Sequence, residues 1–470
     1  MRSLNLFCLL ILSSAMLQAA ERPNVILMMA DDLGWGDVGY NGHPRLKTPQ
    51  LDAMAREGIR FDRFYAAAPV CSPTRGSCLT GRHPFRYGIF NANGGHLPER
   101  EPNLAEILKS RGYATGHFGK WHLGTLTRDV VDANRGGRPK NREHHAAPWD
   151  RGFEVSFSTE SKVPTFNPMI MPKVGARQQF WNATSPGDDV AEFNTRYWTG
   201  PEEVATENLL GDDSRIVMDR AIPFIRENAK QQKPFFAVVW FHAPHWPVVA
   251  GKEHKELYKD LDDFHQNHFG CITALDEQVG RLRAELQTLE IANDTMLWFC
   301  SDNGPEGSVK TGCGSAGPFR GRKRDLYEGG VRVPGLLEWP GRFEGHRVIT
   351  APCSTLDYFP TILSVLGYEL PPAQRLSFDG VNLLPILDGT QKLRESPIGF
   401  QSKNQLAWTE DRYKLYSGDA GETWELYDLL DDPGEARNVS ANHPDRVAAM
   451  REKLAAWRAS CAADLQQVRP

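Results

Sequence analysis

Three short apolar runs constrain this chain most. Asn24-Val-Ile-Leu-Met-Met-Ala30, Phe235 to Phe241 and Thr295 to Cys300 each pass at once into polar residues. A continuous run of this length with β-branched residues is the pattern of a strand buried on both faces of a parallel sheet. Helical patterns lie between the runs: Leu275, Val279, Leu282, Leu286 and Leu289 keep the 3.6-residue period, and Asn103 to Lys109 reads as a shorter helix. Strand and helix alternation predicts an α/β fold, a large mostly parallel central sheet flanked by helices, whose ligands sit at the carboxyl ends of the strands. Those ends carry Asp31-Asp32, His242 and Ser301-Asp302-Asn303-Gly304.

From about residue 396 the texture changes to short alternating stretches, Leu406 to Tyr416 and Thr423 to Leu430, broken by Ser417-Gly-Asp-Ala-Gly421. This is a hairpin signal. Val447, Met450, Leu454 and Trp457 then share one helical face, with Pro444 near its start. The expected organisation is a catalytic α/β domain over residues 21–395 and a small C-terminal antiparallel sheet plus helix over residues 396–470. Residues 142–210 show little periodicity but many Trp, Phe and Pro, which predicts long ordered loops. Core packing is the first expectation for Trp149, Phe153, Phe157, Phe166, Trp181, Tyr197 and Trp198, and a sugar platform the second.

Residues 1–20 hold one charge, Arg2, the apolar run Leu6 to Leu12 and small residues up to Ala20. They read as a signal peptide cut near Ala19 or Ala20, so the protein is expected to be secreted or periplasmic, without a stable membrane anchor. Its removal takes Cys8 from the eight cysteines and leaves seven, at 71, 78, 271, 300, 313, 353 and 461. They show no Cys-x-x-Cys spacing, an odd number must leave one unpaired, and one or two disulfides remain open. The formal net charge of −5 offers no basic surplus for a nucleic acid. The sequons at Asn182, Asn293 and Asn438 are patterns only, silent in a bacterial host.

The most informative segment is Cys71-Ser-Pro-Thr-Arg-Gly-Ser-Cys-Leu-Thr-Gly-Arg82. Pro73 suits a first helical turn, which puts Cys71 at a helix N-terminus, where free N–H groups attract anions. Cys-x-Pro-Thr-Arg followed by Leu-Thr-Gly-Arg resembles the signature of the type I sulfatases of the alkaline phosphatase superfamily. Further motifs match that family in order: Asp31-Asp32-Leu-Gly-Trp-Gly-Asp37, Gly119-Lys-Trp-His-Leu-Gly124, Phe241-His-Ala-Pro-His245, Ser301-Asp-Asn-Gly304 and Gly321-Arg-Lys-Arg-Asp-Leu-Tyr-Glu-Gly-Gly330. Glu425-Leu-Tyr-Asp-Leu429 with Asp432-Pro433 is similar to its C-terminal subdomain.

The resemblance implies a calcium-dependent hydrolase of sulfate esters. Cys71 would be oxidised by a formylglycine-generating maturation enzyme to Cα-formylglycine, whose hydrate attacks sulfur while the cation and Arg75 stabilise the developing alkoxide. Asp31, Asp32, residue 71, Asp302 and Asn303 would hold the metal. The four acidic and amide side chains offer only oxygen, which suits calcium, and adjacent carboxylates at a strand end repel unless a cation neutralises them. Arg75, Lys120, His122, His242 and Lys323 form the positive cluster that a sulfate requires. Of these, Lys120 and Lys323 would hold the sulfate, His242 would protonate the leaving oxygen, and His122 would accept a proton as the intermediate collapses. His245 is balanced between substrate contact and loop support. His96, in the Asn91 to His96 stretch, would contact substrate.

The overall pattern looks closest to the N-acetylgalactosamine-6-sulfatase and arylsulfatase A-like branches, which makes a sulfated, galacto-configured carbohydrate the expected substrate. Two other readings are a phosphonate or phosphate ester hydrolase of the same superfamily, and a non-catalytic binder of sulfated glycans with an unmodified Cys71. The full set of metal and acid residues argues against the binder.

Overall fold

The predicted runs become neighbouring strands. In the computed structural model, which describes residues 22–308, 313–371, 374 and 376–468, the expected leader over residues 1–20 lies outside the described residues. β1 (Asn24–Ala30), β2 (Ala114–Lys120), β3 (Val155–Thr159), β4 (Phe235–Trp240) and β5 (Thr295–Ser301) run parallel in the order β5-β1-β4-β2-β3. Strands Gly335–Glu338 and Ile59–Phe61 on one side, and Trp198–Gly200 and Glu203–Val204 on the other, add antiparallel pairs, and Arg347–Ile349 completes ten strands. The sheet is therefore mixed at its margins and parallel at its centre.

Side chains alternate across the sheet into two cores. Val25, Leu27 and Met29 enter one cluster with Trp240 and Trp298, and Ile26 and Met28 enter the other with Val239 and Phe299. Burial of each such aliphatic side chain contributes about 1.5–3 kcal/mol. α1 (Cys71–Thr80) is buried along its whole length. It stops at Gly81, where φ is 67° and an added Cβ would stand 2.8 Å from Phe359 Cβ. α2 (Asp213–Lys230) and α3 (Asp263–Thr288) cover the sheet, with Leu275, Val279, Leu282 and Leu286 buried at the expected period. The shorter expected helix forms over Leu104–Ser110, and Asn103 accepts hydrogen bonds from the N–H groups of Ala105 and Glu106.

The stretch read as loops contains β3. Val-Ser-Phe-Ser-Thr gave no clear alternation, yet it pairs with β2 from Gly116↔Val155 to Lys120↔Thr159. Short strands also form at Ile170–Pro172 and Val190–Glu192. Of the seven aromatic residues considered there, Phe153, Phe157, Trp181, Tyr197 and Trp198 are buried and Trp149 and Phe166 are half-buried.

At the C-terminus, β6 (Ile398–Ser402), β7 (Gln405–Thr409), β8 (Tyr413–Ser417) and β9 (Glu425–Asp428) form an antiparallel sheet. The span read as one stretch, Leu406 to Tyr416, is two strands, because Glu410-Asp411-Arg412 turns the chain. α4 (Pro444–Val468) lays Met450 and Leu454 against this sheet. The seven cysteines left open for pairing are all free and buried. No helix among the described residues is long and apolar enough to cross a membrane.

Candidate active site

The strand ends meet where the fold predicts. The Asp31 N–H donates to Ala243 O at 3.0 Å, and the Asp302 N–H donates to Ala30 O at 3.1 Å. The chains leaving β1, β4 and β5 are thereby tied together. Asp32 and His122 turn there with φ of 68° and 58°, a left-handed conformation that costs energy for residues with a side chain and collects at functional sites.

Three acid–base pairs fill the cluster. Lys120 Nζ donates to Asp31 Oδ2 at 2.6 Å, and Lys323 Nζ lies 2.7 Å from Asp32 Oδ1 and 2.8 Å from its Oδ2. Arg75 Nε and Nη2 donate to Asp302 Oδ2 at 3.1 and 2.6 Å, and its Nη1 donates to the Lys120 carbonyl at 3.1 Å. Asn303 Nδ2 donates to Asp32 Oδ1 at 2.7 Å. All these side chains are nearly excluded from water. Burial raises Asp31, but Lys120, His245, Arg75 and Lys323 together hold it well below the carboxylate range. Burial and then the charge of Asp31 push Asp302 up to about 7, with Arg75 and Lys120 pulling the other way.

Two oxygens in this cluster, Asp31 Oδ1 and Asn303 Oδ1, are buried and accept no hydrogen bond from any described residue. Orphaned buried oxygens are costly, and a hard cation is one partner that removes the cost. Potential ligand atoms of Asp31, Asp32, Cys71 and His245 lie within 4.8 Å of one another. The donors therefore fit a cation held mainly by oxygen, with His245 as a close neighbour that the sequence did not assign to this group.

Cys71 opens α1 with its side chain buried among these charges. Burial pushes its thiol up to about 12 despite Lys120 and Lys323. The unmodified thiol is thus not a thiolate at neutral pH.

The two histidines of the Phe241 to His245 motif differ. His242 is fully buried, with Nδ1 2.8 Å from Asp213 Oδ2 and Nε2 2.7 Å from Thr159 Oγ1. Thr159 Oγ1 donates its own proton to Ser161 O at 2.7 Å, so it accepts from His242, and neither ring nitrogen is left for a substrate. The sequence expectation of His242 as proton donor does not fit this position. His245 Nδ1 donates to Trp246 O at 2.7 Å, which leaves Nε2 to face the cluster 3.7 Å from Asp32 Oδ2. Burial pushes His245 down to about 4.

His122 is a neutral base by the same reasoning. Its Nε2 donates to Asn93 Oδ1 at 2.9 Å, and Nδ1 is buried without a partner among the described residues. Burial and then Lys120 hold it well below the ordinary histidine value. His96 touches none of these groups. Its Nδ1 lies 3.2 Å from His144 Nδ1, and it lines a cleft of about 930 Å³ with Trp149, Arg151 and Trp198. Sequence reasoning missed Asp213 and Thr159, which hold His242, and Glu306, 3.3 Å from Lys323 Nζ. Asp213 begins a helix directly after its N-cap Asp212, where an acidic residue has an ordinary structural reason.

The sulfatase family profile matches residues 23–368, and the profile of the N-sulphoglucosamine sulphohydrolase C-terminal region matches residues 317–460. The chain is similar to N-acetylgalactosamine-6-sulfatase of Sus scrofa, 34% identical over 453 residues that cover 92% of this chain and 79% of that protein. Among solved structures it is similar to Ps i-CgsB in complex with k-i-k-neocarrahexaose, with a TM-score of 0.78, 26% identity and coverage of 95% and 94% of the two chains. The phosphonate monoester hydrolase of Agrobacterium radiobacter shares the fold at a TM-score of 0.64 and 22% identity, covering 94% and 96%.

Proposed function

Because the chain belongs to the sulfatase family and is thus a sulfuric ester hydrolase, we propose that it removes sulfate from a carbohydrate, with Cys71 matured to Cα-formylglycine and calcium as its metal. The observation that carries this reading is the buried constellation of Cys71, three acid–base pairs and two orphaned oxygens at the strand ends. A thiol pushed up to about 12 is a poor nucleophile, which favours a modified residue at position 71. Once formed, the hydrated aldehyde supplies a hydroxyl nucleophile that a thiol buried here does not. Asp31, Asp32, Asp302, Asn303 and residue 71 would hold calcium, which supplies positive charge where negative charge develops.

The chain's own groups divide the remaining work. Lys120 and Lys323 hold the sulfate oxygens, and Arg75 fixes Asp302 and the Lys120 carbonyl. His245 replaces His242 as the proton donor to the leaving oxygen, because its Nε2 alone of the two rings faces the cluster. Loss of a bare alkoxide is slow at neutral pH, and a bound anion favours the protonated ring. His122 accepts a proton at Nδ1 when sulfate departs. His242 acts at a distance, by fixing Thr159 and the segment that follows it.

The similarity to an N-acetylgalactosamine-6-sulfatase and to a structure solved with a carrageenan-type hexaose supports a galacto-configured substrate. His96 and its cleft are the expected seat of the sugar. Residues 1–20 are read as an export signal, so the protein acts outside the cytoplasm after meeting a formylglycine-generating enzyme. Residues 21–395 are read as the catalytic unit and residues 396–470 as the C-terminal one. Comparison of turnover on sulfated mono- and oligosaccharides with that on phosphate mono- and diesters tests the reading. Faster turnover of the phosphate esters would overturn it in favour of the phosphohydrolase alternative.

A further inference from the structure

Near the cluster stands one lysine that the roles above do not use. Lys162 follows β3 by three residues, and Thr159 at the end of that strand is in register with Lys120. The Glu160 carbonyl accepts the His122 N–H at 3.1 Å, and Thr159 Oγ1 donates to Ser161 O at 2.7 Å. Asn134 Nδ2 donates to Ser161 Oγ at 3.3 Å and to Asn93 Oδ1, the acceptor of His122, at 3.0 Å. The backbone leading to Lys162 is therefore fastened to the segment that carries Lys120 and His122.

The side chain itself is half-buried, yet its ammonium makes no hydrogen bond or ion pair with any described residue. Burial, then the charges of Lys120 and Lys323, lower it from the ordinary lysine value, with Asp32 and Asp31 pulling the other way. Those two lysines are already neutralised by Asp31 and Asp32. The three also grade outward: the Lys120 side chain is 0% exposed, that of Lys323 4%, and Lys162 is half-buried. With a sulfate placed at Cys71 beside the inner pair, Lys162 is the outermost of the three cations. A cation held half-buried against two others is stabilised when an anion arrives.

We propose that Lys162 contacts the substrate and receives a second anionic group, a carboxylate or a further sulfate carried beside the scissile ester. The enzyme accordingly selects doubly charged sulfate esters over singly charged ones. This inference rests on the sulfated-carbohydrate reading above, and its test separates the two. Initial rates are measured for the matured enzyme and for K162Q and K162R. The substrates are p-nitrophenyl sulfate, N-acetylgalactosamine 6-sulfate, N-acetylgalactosamine 4,6-disulfate and the disaccharide of chondroitin 6-sulfate, which adds a carboxylate.

The expected result is that K162Q loses about tenfold or more of kcat/KM, through KM, on one doubly charged substrate relative to the singly charged ones, as one charge-assisted hydrogen bond implies. The substrate that suffers identifies the second anion as sulfate or carboxylate. K162R should recover most of the loss, which separates charge from packing. Equal losses on all four substrates, or none on any, overturn the proposal. Should the wild type cleave only the aryl sulfate, the carbohydrate reading fails. Lys162 is then judged on aryl sulfates with and without a ring carboxylate, by the same tenfold criterion. If K162Q does not fold, the wild type decides: KM should rise more steeply with ionic strength for the doubly charged substrate, and parallel slopes overturn the proposal.

Discussion

A histidine can pass a proton only through a nitrogen that is not already committed. His242 has none, since Asp213 and Thr159 take both sides of the ring, whereas His245 spends Nδ1 on the Trp246 carbonyl and keeps Nε2 for the cluster. His245→Ala should therefore slow hydrolysis of a sugar sulfate far more than that of an aryl sulfate with an acidic phenol, because only the former needs a proton on its leaving oxygen. General acid catalysis supplies about 10²–10⁴-fold, and single-turnover rates on the two substrates measure the gap. A matching loss on both would make His245 a sulfate-binding group instead. Cys71→Ala should abolish turnover, and mass spectrometry of the active protein should find an aldehyde at position 71; full activity with an intact thiol there would sink the mechanism. The sequence brought both histidines into one motif but could not tell which would face the cluster. That choice depends on Asp213, which sits 29 residues before His242 and reaches it only through the packing of α2.

At the scale of strands and helices, the site is a consequence of parallel pairing. β1, β4 and β5 end side by side, so three separate polar sequences are placed within hydrogen-bonding distance without any long-range design of loops. This part was legible, because unbroken apolar runs mark fully buried strands. β3 was not, since Val155 is exposed while Ser156 and Ser158 are buried, the reverse of an amphipathic signal. With β3 the sequence also lost Thr159 and the placement of Lys162. The same strand ends carry the metal argument. Exhaustive chelation should remove activity, and calcium should restore it where zinc does not, given a donor set mainly of oxygen. Asp302→Ala should lower calcium occupancy measured by elemental analysis. A melting curve run alongside distinguishes a lost ligand from a lost fold, and full occupancy in a folded variant would remove Asp302 from the ligand set.

Across the whole molecule, the C-terminal sheet reaches the segment that follows Lys323 through one buried lysine. Lys414 on β8 lies 3.0 Å from Glu328 Oε1 and 2.9 Å from Glu435 Oε1, and all three are excluded from water. Glu328 follows Lys323 by five residues, and Gln405 on β7 accepts the Leu326 N–H and donates to the Arg324 carbonyl. The small sheet thus braces the segment that presents Lys323. Removing a partner from a buried ion pair strands the other charges, at a cost of about 3–5 kcal/mol. Lys414→Met should lower the melting temperature and reduce kcat/KM even on a small aryl sulfate; retention of both would show that the brace is idle. The pH dependence has a definite sign. Burial raises Glu435 to about 7 from an ordinary value of 4.5, partly offset by Lys414 and reinforced by Glu328. A folded-state pKa above the unfolded one contributes stability that is complete below pH 4.5 and lost as pH rises through about 7. Glu435→Gln removes that titration, so the melting temperature of the wild type minus that of the variant should fall over this window and level off above it. A difference that grew with pH would reverse the assignment and place the shared proton on Glu328.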